Sequence, residues 1–319
     1  MVLGIPRGCF YYDYYGFISR LFASVSDDIQ VVFGEENDDD ILGCGIRAVV
    51  DEACLPIKLM AGQIEKLGKI CDKILIPRIT KDFKGRWLCP KLLGLPELLS
   101  QTTDHNKLMI TEPIRFDNKK ATAKSFWNIC QRAGMTKKQF RDNFEAAYGY
   151  QKDISCGKTK MHVEAAWEFT PQVSEDEIIL PNLGKVLLLG HSYNVYDKFS
   201  NGNIMEKLDE LGLEVITERD AGQNEKEEAL SRLDLLKAPF WESFVRMMGT
   251  AVIMKDKVEG IIYLSSFSCG LDAFIIDMIK NNISEIPFMV MKLDEHKGSA
   301  GFDTRLEAFA DLLERKRVS

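Results

Sequence analysis

The chain has 319 residues, of which 45% are hydrophobic and 28% are charged, and its formal net charge at pH 7 is -7. The length predicts two domains of ordinary size, and the composition is that of a globular protein. The acidic balance argues against a nucleic-acid partner, and no apolar run reaches the roughly 20 residues of a membrane span. Because the first residues do not read as a secretory signal, we expect a cytoplasmic protein with neither a nucleic-acid nor a membrane partner.

In the first part of the chain, short apolar runs alternate with stretches of helical periodicity. We predict strands at residues 2–6, 29–33 and 73–78, and helices at about 10–23, 41–53 and 60–67. Alternation of this kind is typical of a parallel sheet covered by helices. We assign residues 1–105 to a first α/β domain.

The pattern then changes to helices without strands between them. Residues 106–180 are predicted to form a helical insert and linker, with helices at 122–133, 137–150 and 158–167. A second α/β domain is predicted at 181–319, with strands at 185–190, 213–216, 260–264 and 287–291 and helices at 203–211, 271–281 and 304–317. The predicted fold class is therefore α/β, with two Rossmann-like, doubly wound and mainly parallel domains.

A proline or a glycine follows within two residues of Cys54, Cys89 and Cys269, three of the eight cysteines. Cys54 precedes Leu55-Pro56, Cys89 precedes Pro90, and Cys269 precedes Gly270. These neighbours hold the backbone outside regular structure, so each sulfur can point from a loop into a cleft between the halves. Thiolates select iron–sulfur clusters or zinc, whereas the alternative is that each cysteine is a small buried hydrophobic residue.

The remaining cysteines are interpreted as packing residues. They are Cys9, Cys44, Cys71, Cys130 and Cys156, of which Cys9 is the exception to watch because it follows the first predicted strand.

Three further residues are candidates for hydrogen bonding or proton transfer at the same edge of the second sheet. His191 and Tyr193 follow the strand at 185–190, and Glu295 follows the strand at 287–291. The alternative is that they satisfy backbone groups of their own loops. No glycine-rich dinucleotide fingerprint occurs in the right context, so we do not expect a nicotinamide cofactor.

Six segments, taken in order, resemble the acyl-CoA dehydratase activase-related family, which is itself similar to the subunits of 2-hydroxyacyl-CoA dehydratases. They are Ile5-Pro6-Arg7-Gly8, Asp51-Glu52-Ala53-Cys54-Leu55-Pro56, Cys89-Pro90-Lys91, Gly94-Leu95-Pro96, Gly190-His191-Ser192-Tyr193-Asn194 and Thr304-Arg305-Leu306-Glu307-Ala308-Phe309. The resemblance spans nearly the whole chain, and the helical insert contributes least to it. The chain departs from the family at Ser192, where the family often shows proline.

The resemblance implies a [4Fe-4S] cluster held by Cys54, Cys89 and Cys269, with one iron left open to a substrate oxygen. A double-cubane cluster, which a related branch carries, is the second choice. In the related dehydratases a separate ATP-hydrolysing activase donates one electron, and the cluster helps to remove a hydroxyl group through a ketyl radical. The resemblance also implies a homologous subunit in a homo- or heterodimer.

Two hypotheses follow for function. The first is a dehydratase-like lyase or a reductase component that acts on an acyl-CoA or another small molecule. The second is a non-catalytic, cluster-bearing electron relay or scaffold subunit. The sequence contains no Walker-type motif, so in either case we expect the ATP-hydrolysing activase to be a separate protein.

Overall fold

The computed structural model describes residues 1–23, 29–159, 183–233, 239–296 and 299–318. The chain divides into two compact units, Met1–Met161 with Lys237–Ser243, and His162–Leu236 with Phe244–Ser319. Each unit contains a four-stranded sheet whose strands are all parallel. This confirms the predicted class of two Rossmann-like α/β domains.

The first unit contains six strands and seven α-helices among the described residues. In chain order they are β1 (Val2–Ile5), α1 (Tyr11–Leu21), β2 (Gln30–Phe33), α2 (Asp39–Ala48), α3 (Leu55–Leu67), β3 (Lys73–Ile76), β4 (Ile79–Lys81), α4 (Pro90–Leu93), α5 (Leu95–Thr102), β5 (Leu108–Ile110), β6 (Ile114–Arg115), α6 (Lys119–Arg132) and α7 (Lys137–Ser155). The main sheet has the order β2-β1-β3-β5, and β4 pairs with β6 separately. Its central strands are apolar because helices cover both faces of a parallel sheet.

The second unit follows the same plan. Its elements are β7 (Gly184–Gly190), α8 (Ser192–Val195), α9 (Lys198–Asn201), α10 (Ile204–Glu210), β8 (Leu213–Thr217), α11 (Gln223–Ser231), α12 (Glu242–Met254), β9 (Gly260–Ser266), α13 (Gly270–Asn282), β10 (Phe288–Leu293) and α14 (Ser299–Val318). The strand order is β10-β9-β7-β8. Every residue of β9 is buried, as is β7 from Val186 to Gly190.

The two predicted helices that flank Cys54 have different limits in the structure. The helix predicted at 41–53 ends at Ala48, and the helix predicted at 60–67 begins at Leu55. The second difference has a simple cause, because Pro56 occupies the first turn, where a missing N–H does no harm. The helix therefore begins beside the proline, five residues before its predicted start.

The segment predicted as a helical insert begins with two short strands. Of these, β5 pairs with β3 as the edge strand of the first sheet, although it lies beyond the predicted domain limit at residue 105. The helices α6 and α7 follow, and the side chain of Asn143 on α7 donates to the carbonyl of Leu21 at 2.9 Å. Most of the helix predicted at 158–167 falls outside the described residues.

Two glycines allow α2 and α3 to approach closely. A Cβ atom on Gly45 would overlap the carbonyl oxygen of Lys58, and one on Gly62 would overlap that of Ile41. Neither glycine can be replaced without moving a backbone. This contact fixes the position of α3, which begins directly after Cys54.

We predict that Gly45→Ala and Gly62→Ala each lower the free energy of unfolding by about 1–3 kcal/mol, because the added methyl group meets backbone. Gly43→Ala is the matched control in the same helix, since its Cβ would meet only the end of the Arg47 side chain, at 3.5 Å. That substitution should stabilise the protein by about 0.5–1 kcal/mol. Urea unfolding measures all three, and equal effects at Gly43 and Gly45 would contradict the proposed contact.

Candidate functional site

The order of the strands in each sheet indicates where a binding site would lie. In the first unit the chain passes from β1 to β2 on one side and then returns to β3 on the other side. In the second unit β7 has the same central role between β8 and β9. Loops diverge at such a switch point, so a crevice forms beyond the carboxyl ends of the two strands. The residues that follow β1, β3, β7 and β9 are therefore the candidates for a site.

The three cysteines predicted as ligands share one structural position. Cys54, Cys89 and Cys269 are the N-cap residues of α3, α4 and α13. At Cys269 the sulfur accepts the backbone N–H of Asp272 at 3.4 Å. The first N–H groups of a helix have no intrahelical partner and carry partial positive charge, so an N-cap position favours a thiolate.

In the first unit, three thiols influence one another. The pKa of Cys9 is raised well above its usual value by burial, and the neighbouring thiols of Cys54 and Cys89 raise it further. Burial also raises the pKa of Cys54, against the opposing effects of Lys91 and the Ile57 N–H. Cys54 and Cys89 therefore lie close enough to interact, with a cationic side chain nearby.

Cys9 has an unusual backbone. Its φ is 44°, in a region that residues other than glycine rarely adopt, and its thiol donates to the carbonyl of Pro56 at 3.5 Å. The contact ties the loop after β1 to the first turn of α3. Cys9 is 1% exposed, as expected for a packing residue, but it lies beside the predicted ligands.

A buried amide holds the loops after β1 and β2 against α3. The Gln63 side chain donates to the carbonyl of Glu35 at 2.9 Å and to the side-chain oxygen of Asn37 at 2.8 Å. Its own oxygen accepts the backbone N–H of Arg7 at 3.5 Å. The carboxyl end of the first sheet is thus supported by α3, the helix that begins at Cys54.

In the second unit a buried acid and a buried histidine face each other. His191 follows β7, and Asp272 lies in the first turn of α13, with 3.2 Å between His191 Nε2 and Asp272 Oδ1. The hydroxyl of Tyr263, on β9, donates to the same carboxylate oxygen at 2.8 Å. Asp272 is fully buried and His191 is 4% exposed, so this charge pair is shielded from water.

The pair has strongly shifted protonation equilibria. Burial alone would lower the pKa of His191, but the charge of the Asp272 carboxylate and the neighbouring Cys269 sulfur outweigh it and raise that pKa to about 10. Burial would raise the pKa of Asp272, and the charge of His191 with the Tyr263 hydroxyl lowers it instead. At neutral pH the structure therefore favours an imidazolium beside a carboxylate.

Of the residues predicted from the sequence, the structure brings His191 and Cys269 together. One ligand atom from each of His191, Cys269 and Asp272 lies within 4.8 Å of the other two. The ring of Tyr193 stacks on that of His191, with 5.0 Å between centroids. Glu295 lies after β10, which is separated from β7 by β9, and it is not a member of this group. Its predicted role stays a prediction.

Sequence analysis missed Asp272 and Tyr263. Asp272 stands three residues after Cys269, so both share one face of the first turn of α13. That spacing was visible in the sequence. Tyr263 carried no comparable signal, because a tyrosine within an apolar strand reads as a core residue.

The family of the chain follows from a match to residues 2–220, more than half of its length. The matching family model is described as "CoA enzyme activase uncharacterised domain (DUF2229)". The chain belongs to this CoA enzyme activase domain family. The match includes Cys54, Cys89 and His191 and ends before Cys269, and it confirms the resemblance to an activase-related family. None of the curated proteins compared matches the chain. Within the described part of this family member, no helix has the length and hydrophobicity needed to cross a membrane.

We predict that the metal-free protein becomes less stable as the pH rises above about 6.5. His191 has a folded-state pKa of about 10, above the 6.5 of an ordinary histidine, so its stabilising effect is complete below pH 6.5 and is lost towards pH 10. Urea unfolding across this range should show a shallower pH dependence for the double variant His191→Asn/Asp272→Asn, which removes both buried charges. His296→Asn, at an exposed position, is the control. Identical slopes for the wild type and the double variant would refute the assignment.

Proposed function

We propose that this chain is an iron–sulfur protein of the 2-hydroxyacyl-CoA dehydratase type, with a [4Fe-4S] cluster bound by Cys54, Cys89 and Cys269. It acts in the cytoplasm on a CoA thioester or another small substrate, alone or with a homologous subunit. Its electrons come from a separate ATP-hydrolysing activase. The description of its family as a CoA enzyme activase domain supports a place in such a system.

The main support for the proposal is that three thiols lie at the same kind of position, the N-cap of a helix. All eight cysteines lie among the described residues, and Cys54, Cys89 and Cys269 are the ones at helix N-caps. The other five lie elsewhere, for example Cys130 within α6 and Cys156 at the end of α7. A thiolate ligand gains from N–H groups that point at its sulfur, and hydrogen bonds of this kind also set a cluster's potential.

The residues around Cys54 and Cys89 fit such a group. Iron–sulfur clusters take thiolate ligands, and these two thiols lie within reach of each other's charge. Lys91 lies close enough to favour the thiolate form of Cys54. When bound, the cluster would supply one-electron chemistry and, with three protein ligands, an iron open to substrate. The chain itself supplies the ligand thiolates, and the N–H groups of Ile57 and Asp272 lie against the sulfur atoms of Cys54 and Cys269.

We predict that serine in place of Cys54, Cys89 or Cys269 removes most of the bound iron and sulfide, because each change deletes one thiolate ligand. Iron and sulfide analysis after anaerobic purification measures the effect. Cys130→Ser and Cys156→Ser are matched controls and should keep wild-type iron. Equal losses in the two groups would show that the cysteines have been assigned incorrectly.

The catalytic part of the proposal needs a separate measurement. The reduced cluster should change its EPR spectrum when a 2-hydroxyacyl-CoA is added, because the open iron lies where substrate binds. Free CoA is the matched control and should leave the spectrum as it is. A spectrum indifferent to every acyl-CoA would contradict the catalytic role and favour an electron relay.

A further inference from the structure

Two buried side chains and a partly exposed cysteine of the second unit form a compact group of unlike donors. His191 offers a nitrogen, Cys269 a sulfur and Asp272 a carboxylate oxygen, and these atoms lie within 4.8 Å of one another. Zinc accepts this set of donors, and catalytic zinc sites use three protein ligands with a fourth position open. We propose that His191, Cys269 and Asp272 form a site for a single Zn²⁺ ion, with a water molecule or a substrate atom as the fourth ligand.

The ligands sit on elements that fix their positions. His191 directly follows β7 and Cys269 caps α13, so both lie at the switch point of the second sheet. Asp272 stands one turn into α13 on the face of Cys269. A site built on the end of a central strand and the first turn of a 13-residue helix needs little rearrangement when an ion binds.

Two polar atoms at this site lack a hydrogen-bond partner among the described residues. They are His191 Nε2 and Asp272 Oδ2, both fully buried. Although Nε2 lies 3.2 Å from Asp272 Oδ1, the two atoms are not in hydrogen-bonding geometry. Buried polar atoms without partners are costly, and an ion held by Nε2 and by both oxygens of the Asp272 carboxylate would satisfy them.

The spacing of the atoms also suits zinc. In a tetrahedral site with bonds of about 2.0–2.3 Å, neighbouring ligand atoms are about 3.3–3.8 Å apart. The distance of 3.2 Å between His191 Nε2 and Asp272 Oδ1 is close to that value. The sulfur of Cys269 lies within 4.8 Å of a ring nitrogen of His191 and of a carboxylate oxygen of Asp272, which exceeds that spacing by about 1 Å at most.

Neighbouring side chains orient the ligands, as outer groups do in zinc proteins. The Tyr263 hydroxyl donates to Asp272 Oδ1 at 2.8 Å, and the Tyr193 ring stacks on the His191 ring. The charges also balance. Zinc binding would release the proton of the His191 imidazolium and the thiol proton of Cys269 to solvent. The resulting thiolate, carboxylate and neutral imidazole carry two negative charges, which one divalent cation neutralises.

This site goes beyond the proposed cluster and shares one residue with it. Cys269 can ligate the cluster or the zinc ion, so the two are alternative occupants. Cys54 and Cys89 take no part in the zinc site. Variants of these two cysteines therefore separate a failure of one proposal from a failure of the other.

Cobalt(II) reports directly on such a site, because a bound thiolate gives a charge-transfer band and tetrahedral geometry gives intense visible bands. The full chain, freed of iron under anaerobic reducing conditions, should bind one equivalent of cobalt, and zinc should displace it. The double variant Cys54→Ser/Cys89→Ser should give the same spectrum. Cys269→Ser should lose the charge-transfer band.

Substitutions of the ligands and of Tyr263 should weaken cobalt binding to different extents. His191→Asn and Asp272→Asn should each weaken cobalt binding by more than about 100-fold, and Tyr263→Phe by about 10- to 100-fold. His296→Asn, at an exposed position, is the matched control and should bind cobalt normally. A charge-transfer band that survives in Cys269→Ser, or vanishes in Cys54→Ser/Cys89→Ser, would overturn the proposal, as would the absence of cobalt binding.

A second measurement needs no variant and remains valid if buried substitutions prevent folding. Iodoacetamide labelling of the metal-free wild-type chain, read by mass spectrometry of its peptides, should be slowed at Cys269 by one equivalent of zinc. Labelling of Cys54 and Cys89 should not change. Equal protection of all three, or none at Cys269, would contradict a zinc site in the second unit.

Discussion

The candidate sites depend on parallel pairing around two central strands, β1 in the first unit and β7 in the second. Each is hydrogen-bonded on both sides, to β2 and β3 in one sheet and to β8 and β9 in the other. The connection after each central strand runs to one side of the sheet, and the connection after β3 or β9 runs to the other side. The loops therefore diverge beyond the carboxyl ends of these strands and leave a crevice. Reactive side chains that are far apart in the sequence can therefore lie together at this edge of a sheet.

Helix N-caps give these positions their chemistry. A cysteine at an N-cap lies beside N–H groups that have no partner within the helix. At Cys54 the Ile57 N–H and Lys91 oppose the burial that raises the pKa of its thiol. In the second unit His191 lies beside both Cys269 and Asp272. The two units thus differ in kind. The first presents neighbouring thiols, and the second presents a mixed nitrogen, sulfur and oxygen group.

Much of this arrangement could be predicted because it is local. Proline or glycine after Cys54, Cys89 and Cys269 indicated that these cysteines lie outside regular structure, and each is the N-cap residue of a helix. Strands such as β7 stood out as continuous apolar runs. The short strand β5 was missed because three residues show no periodicity, and only its pairing with β3 defines it. Asp272 was missed for a different reason. An acid in the first turn of a helix is common, and its contact with His191 joins residues far apart in the chain.

Iron-edge anomalous diffraction from crystals grown without oxygen tests the central claim most directly, because it locates iron relative to named sulfur atoms. If the cluster is bound as proposed, anomalous density lies within bonding distance of the sulfur atoms of Cys54, Cys89 and Cys269. That distance is about 2.3 Å, by comparison with zinc–thiolate bonds. Iron bound at Cys130 or Cys156, or iron-loaded crystals with no density at the three N-cap thiols, would contradict the central claim.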